Sequence, residues 1–101
     1  MKSLDIPWNL IVSDFYKDMT LLGWNIPIES FERGPEELRL LILQILKQQP
    51  MAVRELLYRL SIPEDRLSHI IDQNVDNLSH SIVDLIQQRC KERILLRRHF
   101  S

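Results

Sequence analysis

Apolar residues recur along this chain with the 3.6-residue period of the α-helix, in stretches divided by proline, glycine and short polar runs. Leu10, Ile11, Phe15, Met19 and Leu22 define a first helix over about 6–22, with Asp5 as a candidate cap, Pro7 in the first turn and Gly23 as the stop. The loop WNIPIESFERGP that follows carries Trp24, Ile26, Ile28 and Phe31, too apolar for a solvated linker, and is expected to pack on the bundle. A second helix over 35–49 opens at Gly34 and Pro35 with Glu36 and Glu37 at its positive end. Its run LRLLILQIL is apolar on more than one stripe, which predicts a helix at the centre of the core.

Pro50 separates that helix from a third over 52–60. Ser61 and Glu64 then have the S-x-x-E spacing of a capping box and predict a new start. From Ile62 onward Leu67, Ile71, Val75, Leu78, Ile82, Leu85, Ile86 and Cys90 keep the helical period, which predicts one long helix over 62–96, with a break near 74–77 as the alternative. Inside it DRLSHIIDQNV is followed by DNLSHSIVDLI, an approximate eleven-residue repeat that returns matching residues to nearly the same face. Two copies are too few for a solenoid.

These elements sum to an all-α fold, a single domain over 1–101 built as a compact bundle of four to five helices with a long C-terminal helix. The chain has 101 residues, 45% hydrophobic and 27% charged, the profile of a globular domain. Its one cysteine, Cys90, needs no oxidising compartment, Asp5 and Pro7 interrupt any signal-peptide core, and the longest apolar run is too short to span a bilayer. A cytoplasmic protein without membrane contact is expected. The formal net charge of −1 conceals an asymmetry. Three basic residues face five acidic ones up to Pro35, whereas Arg89, Lys91, Arg93, Arg97 and Arg98 face Glu92 alone in the last fifteen positions.

The segment 53–71, about a fifth of the chain, resembles the helix-turn-helix of repressor-like DNA-binding proteins at Leu56, Leu60, Ile62, Leu67 and Ile70. Leu57 stands where that family usually has alanine, and Ser61 where it usually has the turn glycine. The resemblance implies that Arg66, Ser68, His69 and Gln73 would reach base edges or phosphates, with the basic tail (Arg89, Lys91, Arg93, Arg97, Arg98) along the backbone. Against this stand Glu64, Asp65 and Asp72 on the same helix, and no glycine turn or alternating pattern after Asn74 provides a wing.

His69, Asp72, Asp76 and His80 share a helix face, but the two histidines lie about 16 Å apart along a straight helix, so no metal site is expected. Cys90 sits between Arg89 and Lys91, which would favour a thiolate, yet on an apolar phase that favours burial. No nucleophile, base and orienting group can be assembled, so no enzyme, cofactor or small-molecule substrate is expected. Trp8, Trp24, Ile26, Ile28 and Phe31 form a candidate protein interface. The reading is a small non-enzymatic helical interaction module, self-associating or an adaptor. The alternative is a transcription-regulator-like nucleic-acid-binding protein that uses the basic tail.

Overall fold

One stripe of a 26-residue C-terminal helix has to be hidden from water, and shorter helices cover successive parts of it. The computed structural model describes residues 6–69 and 73–100, the last by its backbone. The order is α1 (Trp8–Leu21), a 3-10 turn at Ile28–Ser30, α2 (Pro35–Gln48), α3 (Pro50–Arg59), α4 (Glu64–Ser68) and α5 (Val75–Phe100). Among the described residues there is no strand. At 1.5 Å per residue α5 runs about 39 Å, matching the longest molecular dimension of 39 Å. Ile82, Val83, Leu85, Ile86, Cys90 and Ile94 form its buried stripe.

The α2 helix packs on both α5 and α3, and α1 packs on α5 and α3. Only Leu38 and Ile42 of α2 are fully buried, and Leu40 is 52% exposed. The expectation that this helix lies at the core centre is therefore wrong. Its many leucines half-cover a flank, and α5 provides the spine. Arg39 ties the two, donating to Ser79 Oγ of α5 at 3.3 Å while paired with Glu36 at 2.6 Å.

The apolar loop does pack on the bundle, held by two aromatic side chains of α1. Trp8 Nε1 donates to the Phe31 carbonyl at 2.9 Å and Tyr16 Oη to the Ile26 carbonyl at 3.0 Å. The Phe31 ring is fully buried and stacks on Phe15 with centroids 5.3 Å apart. Pro7 is the N-cap of α1 rather than a residue of its first turn, and Asp5 lies outside the described residues.

The single helix over 62–96 is not observed. α4 ends at Ser68 and α5 starts at Val75, with Ile70, Ile71 and Asp72 outside the described residues. Asn74 causes the restart, because its Oδ1 accepts the Asn77 amide at 2.9 Å as a helix N-cap does. The eleven-residue repeat has a local counterpart: Ser68 Oγ donates to the Asp65 carbonyl, and Ser79 Oγ likewise to that of Asp76.

The capping box is absent too. Pro63 is the N-cap of α4 with no side-chain bond, and Glu64 instead accepts from Tyr58 Oη at 3.1 Å. Ser61 belongs to the end of α3. Its φ of 61° is left-handed, its amide bonds the Tyr58 carbonyl and the Ile62 amide that of Leu57. That is the glycine-type helix stop also formed at Gly23, where φ is 85° and Gly23 and Trp24 bond the carbonyls of Thr20 and Met19. The position where helix-turn-helix families have glycine thus keeps the glycine conformation with a serine in it.

A side chain costs about 1–2 kcal/mol in that region, partly offset by the flexibility glycine adds to the unfolded chain. Ser61→Gly is expected to stabilise the protein by about 0.5–1 kcal/mol, raising Tm by roughly 4 °C in a thermal melt.

Candidate interaction site

The acidic start and basic end of the chain meet each other. Asp14 and Asp18, one turn apart and buried on α1, face Arg93 and Arg97, one turn apart on α5, of which Arg93 is half-buried and Arg97 exposed. Arg93 Nη2 lies 2.5 Å from Asp14 Oδ2 and 2.8 Å from Asp18 Oδ2, and its Nε adds a bond of 2.9 Å to Asp14. Arg97 Nη2 reaches Asp14 Oδ1 at 2.8 Å, and Arg59 of α3 meets Asp18 at 3.3 Å. The Asp14 side chain is only 3% exposed.

Desolvation pushes the Asp14 pKa up, but hydrogen bonds from Arg93 and Arg97 and the charge of Arg93 prevail and hold it below the ordinary 3.8. Cys90 lies against this cluster, and burial with the nearby Asp14 charge pushes its thiol up to about 12. Its basic sequence neighbours do not produce a thiolate.

The other nucleic-acid candidates scatter. Arg66 Nη2 lies 3.4 Å from Glu92 of α5, and its buried Nη1 has no hydrogen-bond partner among the described residues. Arg89 Nε donates at 2.7 Å to the Leu60 carbonyl, capping the end of α3, and also meets Glu92. Ser68 bonds its own helix, His69 is exposed in the turn after α4, and Gln73 accepts from Ser81 Oγ at 2.8 Å. Lys91 is half-buried on α5, and Arg98 is exposed beside Lys17 at the rim of a cavity that also touches Asp14. Arg93 and Arg97 are thus held against α1 and Arg89 against the end of α3, while Arg66 reaches from α4 to Glu92 of α5.

In the candidate protein interface Phe31 is a core residue, while Trp8, Trp24, Ile26 and Ile28 are half-buried against the core. Trp24 and Ile26 line a cavity of about 240 Å³ against Ile45 and Gln49. A more apolar opening, overlooked in the sequence, lies beside the helix-turn-helix. It is a groove of about 230 Å³ between Leu46 of α2, Met51, Val53 and Leu57 of α3, Leu67 of α4, and Leu78 and Ile82 of α5. Among the described residues Arg54 is its only charged lining residue. Leu57, in place of the alanine that would let helices approach closely, is part of the wall.

No family model, no curated protein and no solved structure matches this chain.

Removing the Asp14 charge leaves Arg93 and Arg97 short of a partner, so Asp14→Asn is expected to cost about 3 kcal/mol in denaturant unfolding. Because the folded pKa is depressed, the stabilisation is complete well above 3.8 and is lost as pH falls below it. The wild type should therefore lose stability more steeply than the variant between about pH 5 and pH 2. With its pKa near 12, Cys90 is about one part in ten thousand thiolate at pH 8. Labelling by an aromatic disulfide reagent should be slow in the native protein and immediate in denaturant.

Proposed function

We propose that this chain is a small, non-enzymatic helical interaction module that binds a protein surface through the groove beside α3 and the exposed face of that helix. The groove carries the reading, because it gathers apolar side chains of α2, α3, α4 and α5 at a surface opening with one cation at its edge. Met51, at its rim, is 63% exposed, and Tyr58, two turns further along α3, is 57% exposed. Partly open apolar sites of this kind are characteristic of protein recognition.

Most of the arginines that a nucleic-acid-binding reading relies on are paired with carboxylates of the same chain. Asp14, Asp18, Arg59, Arg93 and Arg97 form one network, and five-residue α4 carries Glu64 and Asp65 at the end that would approach phosphates. Each arginine held by a carboxylate releases fewer counterions on meeting a nucleic acid. Protein binding is therefore favoured over the nucleic-acid alternative.

Photo-crosslinking provides the test. A benzophenone amino acid at Met51 should give adducts of discrete mass with protein, lost when Leu78→Lys places a charge in the groove, whereas the same probe at exposed Gln88 should give none. Circular dichroism checks that the variants are folded. Equal adducts from both positions would overturn the reading, and Met51 adducts insensitive to Leu78→Lys would confine the contact to the exposed face of α3. Duplex-DNA binding in the micromolar range at about 150 mM salt would shift it to the alternative.

A further inference from the structure

We infer that the partner fitting the exposed face of α3 is a second copy of this chain, with the two α3 helices side by side and parallel about a two-fold axis. The inference rests on the interaction reading above and names the occupant. Met51 and Tyr58 are seven residues apart, which places them nearly in line along the helix, and both are more than half exposed. Arg54 and Glu55 stand between them in height, one on each side of that line, and both are exposed.

Neither has an ion-pair partner among the described residues. Arg39, Arg59, Arg66, Arg89, Arg93 and Arg97 all meet carboxylates of their own chain. The exposed α3 stripe is thus apolar along its middle, positive on one flank and negative on the other.

Symmetry turns that pattern into an orientation. A two-fold axis parallel to the helices brings the Arg54 flank of each copy against the Glu55 flank of the other, giving two cross-pairs around Met51–Met51 and Tyr58–Tyr58 contacts. An antiparallel arrangement sets Arg54 against Arg54 and Glu55 against Glu55, so the charges select the parallel dimer. A ten-residue helix offers a contact below the roughly 1,200 Å² of stable complexes, which implies a weak dimer with Kd on the order of 10–100 µM.

Sedimentation equilibrium of the full chain from about 5 to about 500 µM, at about 50 mM salt, is the test. The wild type should pass from monomer to dimer. Arg54→Glu and Glu55→Arg should each weaken dimerisation at least about tenfold, since each places like charges across both flanks. The double variant should recover wild-type behaviour, and an equimolar mixture of the two single variants should form a heterodimer. Both sites are exposed, and unchanged circular dichroism verifies folding. A monomer throughout, a dimer indifferent to the single changes, or a double variant that fails to recover would each overturn the inference. If Met51 crosslinks to another protein while the chain stays monomeric, the interaction reading stands and the second copy falls. If Met51 gives no adduct and the chain is monomeric, both fall.

Discussion

A carboxylate held out of water is tolerated only if cations meet it, and Asp14 is met by two. That requirement sets the register of α1 on α5. Sliding either helix by one residue would turn Asp14 or Arg93 away from its partner, and only the matched one-turn spacings of Asp14 with Asp18 and Arg93 with Arg97 let both pairs close together. Apolar contact alone would bring the same helices together with less precision, because leucine and isoleucine stripes slide more readily than a forked guanidinium on a carboxylate. Through Arg59 the network also reaches α3, so the angle at which that helix presents its outer face depends on the same charges.

Much of this fold was legible in the chain. Helical periodicity locates α1, α2 and α3 to within a few residues, and the apolar residues Trp24, Ile26, Ile28 and Phe31 correctly imply a loop packed on the bundle. Periodicity could not show where the C-terminal helix begins. Apolar residues keep the same phase across the break, and the decisive event is local: the side chain of Asn74 satisfies the amide of Asn77 and starts the helix afresh. Ser61 misled for a related reason. Its hydroxyl and the glutamate three residues later have the spacing of a helix start, but the preceding helix claims Ser61 for its own left-handed stop.

The site is harder to read, because a sum of charge by region conceals which helix face each group occupies. By region the arginines of the last fifteen residues look like a basic tail open to an anionic partner. Asp14 and Asp18 share their spacing with Arg93 and Arg97, and that correspondence, present in the sequence, is the signal that would have matched the two ends of the chain. The groove left no such trace. It arises where four helices fail to close completely around Leu57, a property of their arrangement rather than of any run of residues.

The contact between Asp14 and Arg93 spans 79 positions of the chain. A segment emerging during synthesis can form α1 early, yet Asp14 has no cation to receive it until Arg93 and Arg97 are made, and Asp18 has Arg59 alone. Closing so long a loop loses conformational freedom before the ion pairs return any of it. The final assembly of this domain is therefore a late event, and until the last turns of α5 arrive the apolar side of α1 stays open to chaperones or to neighbouring nascent chains.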